Sequence, residues 1–151
     1  MLAVCVALAF GSCAKPPPPA PSVAPARHEH RAPHGGTPVV LGHEEYHLEL
    51  VRDATSGKLT AYVLDGEMED FIRVKAPAFE VEANMGGEKR PLTFHAVANT
   101  ATGEIVGDTS CFEAQADWLK TNTNFDGTLV MLKIKNATFL KVAFNFPKGN
   151  D

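Results

Sequence analysis

"YHLELVRDATSGKLTAYVL", residues 46–64, decides the fold class. In its first six residues Tyr46, Leu48 and Leu50 share one face, and His47, Glu49 and Val51 share the other. Its last seven alternate again, with Leu59, Ala61 and Val63 on one face. Successive side chains of a strand point to opposite sides, so a period of two marks a strand with one buried face. The connector, residues 52–57, carries Asp53, Ser56 and Gly57, as a hairpin loop does. The stretch reads as two antiparallel strands.

The same rhythm continues on both sides. "TPVVL" (37–41) precedes the hairpin, and "FIRV" (71–74) follows it as a short edge strand. "AFEVEA" (78–83) puts Phe79, Val81 and Ala83 inward, "MGGEK" turns the chain, and "LTFHAVA" (92–98) returns. "NTATG" turns again into "EIV" (104–106) and "SCFEA" (110–114). The chain closes with "TLVMLKI" (128–134), the turn "KNA" and "TFLKVAFNF" (138–146), its most apolar hairpin, expected at the centre of the core. Only "EAQADWLKTN" (113–122) breaks the pattern: Ala114, Trp118 and Leu119 fit one short helical turn, with Trp118 as a core anchor. About nine short strands, turns roughly every 8–12 residues and no long helix predict an all-β fold. We expect an antiparallel β-sandwich over about residues 37–147, with a closed barrel as the alternative.

The chain has 151 residues, 44% of them apolar and 21% charged, enough to build one core. Its formal charge of −4 and scattered Lys and Arg argue against nucleic acid, which calls for a basic stripe.

The first residues belong to targeting rather than to the fold. "MLAVCVALAFGSC" is apolar from Leu2 to Phe10, then small, then Cys13. The run is too short for a membrane-spanning helix, which needs roughly 20 residues, and fits a secretory signal over residues 1–12. Gly11-Ser12 before Cys13 resembles a bacterial lipobox, which makes Cys13 the lipidated residue. Phe10 stands where Leu is usual, and ordinary secretion is the competing reading; no basic segment precedes the run, so the true start codon is expected upstream. Residues 13–36 hold seven of the eleven prolines and read as a stiff tether. The folded domain is then residues 37–151 of a membrane-anchored lipoprotein in the cell envelope, facing the periplasm or the exterior. Cys111 is the one thiol left to that domain, and its strand-like surroundings predict a buried, inert side chain.

Five of the six histidines, His28, His30, His34, His43 and His47, fall between residues 28 and 47. Imidazole binds zinc, copper and nickel, and a site needs three or four converging ligands. If the tether folds back along the first hairpin, Gly35-Gly36 lets it turn and His34 approaches His43 and His47. Glu44, Glu45 or Glu49 can supply an oxygen, and His28 and His30 are auxiliary. Such a set suits Zn(II), Cu(II) or Ni(II); without Met or Cys in the segment it does not suit Cu(I). The competing reading is a solvated cluster with no ligand, because "HEHRAPH" has neither zinc-finger spacing nor a helical HExxH.

"APHGGTPVVLG" and "YHLELVRDATSGKLTAYVLDG" together resemble the opening of a family of small exported bacterial β-domains. Those domains begin with His-Gly-Gly and run into a His-Leu-Glu-Leu-Val hairpin. Similar modules accompany adaptor proteins of heavy-metal efflux systems. The likeness covers Pro33–Asp65 and the closing "TFLKVAFNFP", and the middle matches poorly. It implies a metal-related envelope role carried by His34 and His47, with a metal-efflux protein as partner.

No catalytic set stands out. Ser56 and Ser110 lack a GxSxG elbow, and "NMGGEK" lacks phosphate-loop spacing. The expectation is a protein that is not an enzyme. It either binds a divalent transition metal through the histidine cluster, or serves as a metal-independent interaction module held to the membrane by its lipid.

Overall fold

The computed structural model describes residues 31–150. The signal, Cys13, His28 and His30 lie outside the described residues. The hairpin of the opening stretch forms as β2 (Tyr46–Asp53) and β3 (Lys58–Asp65), paired antiparallel from Tyr46↔Asp65 to Asp53↔Lys58. Asp53 closes its turn by accepting the Thr55 N–H and the Ser56 hydroxyl. β1 (Thr37–Leu41) flanks β2. The remaining strands are β4 (Ala78–Met85), β5 (Glu88–Ala96), β6 (Cys111–Gln115), β7 (Phe125–Ile134) and β8 (Ala137–Phe146). One 3₁₀ turn, Asp117–Lys120, sits where the helical turn was expected. Trp118 packs against the core from that turn, edge-on to Phe125 with ring centres 5.3 Å apart.

The fold is all-β and antiparallel, as the alternation predicts. Its eight strands lie in one sheet, ordered β1-β2-β3-β6-β5-β4-β7-β8. The sheet curls until its end strands, β1 and β8, come into contact, so the layers facing each other across the core are continuous. The seam is closed by the chain after β8. The Asn150 side chain accepts the Val40 N–H at 2.7 Å and donates to the Val40 carbonyl at 3.1 Å. A side-chain amide thereby takes the place of a neighbouring strand and covers part of an otherwise bare edge. Among the described residues no helix is long and apolar enough to cross a membrane.

The core follows the predicted faces. Leu48, Leu50, Leu59, Ala61, Val63, Val81, Phe94 and Phe112 are almost fully buried. Phe79 stacks on Phe94 with centres 4.9 Å apart and meets Phe112 edge-on. Each such Leu or Phe contributes about 1.5–3 kcal/mol relative to exposure. Pro91 falls inside β5 without breaking the sheet. β5 pairs β4 along its whole length but meets β6 only at His95 and Ala96, so the missing N–H sits on an open edge.

Three segments depart from expectation. "FIRV" makes only single bridges, Leu64↔Phe71 and Val74↔Thr109, beside the Ile72 N–H donating to the Val63 carbonyl, and forms no strand of its own. "EIV" belongs to the turns between β5 and β6, with bridges Asn99↔Glu104 and Ile105↔Asp108, and leaves Ile105 and Val106 exposed. The closing hairpin ends the strand order rather than occupying its middle, and Val130, Met131 and Leu140 face outward. In β7 the buried positions change from Phe125, Gly127 and Leu129 to Leu132 and Ile134. In β8 they change in step, with Lys141 at φ 52° where the phase turns over, while the pairing register stays intact. A strict period of two cannot foresee that reversal.

Candidate functional site

Glu49 organises the surface over β2. It points away from the core beside His47, yet its side chain is 0% exposed. The chain entering β1 covers it. Glu49 Oε1 accepts the N–H groups of His34 at 2.7 Å and Gly36 at 2.9 Å, and His34 Nδ1 lies 2.8 Å from Oε2. A carboxylate offers only acceptors, so Nδ1 carries the hydrogen and Nε2 is the open position of the ring.

The Gly pair has a steric reason. A Cβ on Gly36 would stand 2.7 Å from the Leu50 carbonyl and 2.8 Å from side-chain atoms of Glu49 and Val51, so the chain could not lie this close to β2. Gly35 supplies the left-handed turn, with φ 68°.

The expected fold-back of this segment therefore forms, and it brings His34 to Glu49. It does not gather the other imidazoles. His43 sits exposed in the β1–β2 turn. His47 is buried, with Nδ1 3.2 Å from the Asp65 carbonyl oxygen. Glu44 and Glu45 are exposed in the same turn as His43. Among the described residues no three His, Cys, Asp or Glu side chains are grouped so as to hold one metal ion. The proposed convergence of His34, His43 and His47 is thus absent, because alternate residues of β2 are fixed by its pairing while the turn carries His43 away.

His34 instead joins an aromatic wall. Its ring stacks on Tyr62 of β3 with centres 4.0 Å apart and planes 14° apart. Phe71 completes the wall, 6.0 Å from Tyr62 and 5.9 Å from His34, and remains 48% exposed. These rings line a cavity of about 550 Å³, bounded opposite by Asn99, Thr102 and Glu104 and floored by Ser110 and Cys111. Cys111 is the cross-strand partner of Tyr62.

The polar wall is held rigidly. Glu104 is buried, and it accepts the Ser110 N–H at 2.8 Å, the Ser110 hydroxyl at 2.7 Å and the Thr102 hydroxyl at 2.8 Å. Burial, the largest single influence, pushes its carboxyl up, but the Ser110 and Thr102 bonds and nearby Arg73 together hold it below the ordinary range. Arg73 donates to the carbonyls of Thr102 and Gly103 and ties the 99–104 turn to the 71–74 segment.

Ser110 and Cys111 also line the cavity. The Ser110 hydroxyl donates to Glu104. Burial, with help from the charges of Glu113 and Glu104, pushes the Cys111 thiol up to about 11 against its ordinary 9.0. It stays a protonated thiol at neutral pH. Burial likewise holds the Tyr62 hydroxyl above its ordinary range. The site thus offers apolar and planar surface beside a buried carboxylate. The sequence reading missed Tyr62, Phe71, Glu104 and Cys111 as one site; the polar run Thr109-Ser110 ahead of an apolar strand is the only local signal for it.

The chain matches no protein-family model, no curated protein and no solved structure.

Proposed function

We propose that this chain is a membrane-tethered lipoprotein of the cell envelope whose β-domain is a metal-independent interaction module. The cavity beside His34, Tyr62 and Phe71 receives an apolar or planar group of a partner envelope protein. One observation carries this reading: three rings line one wall of an open cavity on the outer face of the sheet, and Phe71 is left half in solvent. Aromatic side chains at the centre of a patch contribute most of the energy in many protein contacts. The test replaces Phe71 by the photocrosslinker benzoylphenylalanine in the native envelope. The same probe at Glu88, in the turn between β4 and β5, is the control. A discrete adduct from position 71, absent from position 88 and lost with Tyr62→Ala, is expected. Equal labelling from both positions removes the proposal.

A second reading has its own observation. Metal-binding imidazoles commonly donate their other N–H to a carboxylate, and His34 Nδ1 is held that way by Glu49. Under this reading His34 Nε2 and the tether histidines His28 and His30 bind Zn(II), Cu(II) or Ni(II). Titration calorimetry on the full chain carrying C13S decides it. Binding tighter than about 100 μM, at least tenfold weaker in H34A and unchanged in H43A, is the expected result. No heat of binding with any of the three ions removes this reading.

A further inference from the structure

A second cavity, which shares only Arg73 with the aromatic one, lies between the 73–76 segment and the end of β7. Its volume is about 330 Å³, and Arg73, Lys75, Lys133, Lys135 and Ala76 line it. Four of these five residues are cations, in a chain whose formal charge is −4. Elsewhere on the fold Lys58, Lys89 and Lys120 each sit on a carboxylate, within 2.6–2.9 Å. Here, among the described residues, no carboxylate forms an ion pair with Lys75, Lys133 or Lys135. Arg73 is engaged with the Thr102 and Gly103 carbonyls and stands 3.9 Å from Glu104, so the three lysines carry the open charge.

The fold holds these cations together. Lys133 lies exposed next to buried Ile134 at the end of β7, and Lys135 follows in the turn to β8, where its backbone takes the left-handed conformation at φ 51°. Buried Val74, bridged to Thr109, fixes the segment that carries Arg73 and Lys75. Like charges so placed repel one another unless a counter-charge enters. Lys135 also lies 5.9 Å from the centre of the Tyr46 ring and lines the neighbouring cleft together with Glu45, while no acidic residue lines the cavity itself.

We propose that this cavity binds a phosphate-bearing anion. Lysine ammonium groups act as point charges, and several around one pocket suit an anion whose oxygens point in several directions. The ligand is a soluble phosphate ester or the headgroup of an anionic lipid; the chemistry of recognition is the same. The site is independent of the aromatic cavity, and its failure leaves that reading untouched.

The experiment uses the full chain carrying C13S, inorganic pyrophosphate as the soluble probe, and vesicles of phosphatidylglycerol with phosphatidylcholine as the lipid probe. Pyrophosphate is expected to bind saturably at about 20 mM salt and to weaken at about 200 mM, as screening dictates. The double variant K133Q/K135Q, which changes only exposed side chains, should weaken binding by about tenfold or more. The control K89Q/K120Q removes the same charge elsewhere and should leave binding unchanged. Flotation with vesicles that pyrophosphate competes away, and that K133Q/K135Q loses, identifies a lipid headgroup as the source. Pyrophosphate binding without flotation identifies a soluble ligand. Three results overturn the proposal: no saturable pyrophosphate binding, unchanged binding in K133Q/K135Q, or an equal loss in K89Q/K120Q.

Discussion

Glu49→Ala is expected to destabilise the domain by about 2–4 kcal/mol, read as a fall in the denaturant midpoint at unchanged slope. The substitution removes a carboxylate that takes three hydrogen bonds and leaves the amides of His34 and Gly36 facing an apolar methyl group. It also opens a void under the segment that crosses β2. The effect should be local first: hydrogen exchange at the His34 and Gly36 amides rises, and the His34–Tyr62 stack is lost. Glu49→Gln is the informative comparison. It keeps one acceptor oxygen for the two backbone amides, and His34 can present Nδ1 as an acceptor to the new NH₂. It should therefore retain a large part of the stability. If Gln and Ala prove equally damaging, the carboxylate is not acting through these bonds.

The second large effect is expected in β7. Gly127 lies opposite Phe144 of β8, and a Cβ at that position would stand 2.3 Å from Cζ of the Phe144 ring. The distal end of the ring, Cζ with both Cε atoms, sits over the glycine, and Phe144 is only 6% exposed. Gly127→Ala should cost about 1–3 kcal/mol and Gly127→Val more, because the ring must leave a packed position beside Phe125. A double-mutant cycle identifies the cause. Phe144→Ala alone should cost about 3–5 kcal/mol, and adding Gly127→Ala to it should cost almost nothing further. An undiminished cost for Gly127→Ala in the Phe144→Ala background would show that the backbone, not the ring, forbids a side chain there.

How far the sequence could be read depends on range. The hairpin at residues 46–64 was legible almost to its ends, since alternation and turn chemistry are both local. Strand order was not. β3 lies beside β6 rather than β4, and that neighbourhood is what brings Tyr62 next to Cys111. Nothing within ten residues of either announces the other. The same limit applies to Glu49. Gly35-Gly36 correctly marks a tight turn, and Glu49 correctly falls on the outer face. That the carboxylate would be buried by that very turn follows only from Gly36 pressing on Leu50. The histidine cluster illustrates the converse. Closeness in sequence suggested a common site, but a pleated strand and a turn send His47 and His43 in different directions.

The clamp on Glu49 also has a mechanical meaning. A pull arriving along the chain from the N-terminal side reaches His34 and Gly36 before it reaches β1. It is delivered sideways into β2, a strand paired on both flanks, rather than to β1 at the sheet's margin. Strands at a margin peel one bond at a time, whereas a bond set loaded in shear must yield together. Under such a load β1 would stay paired to β2.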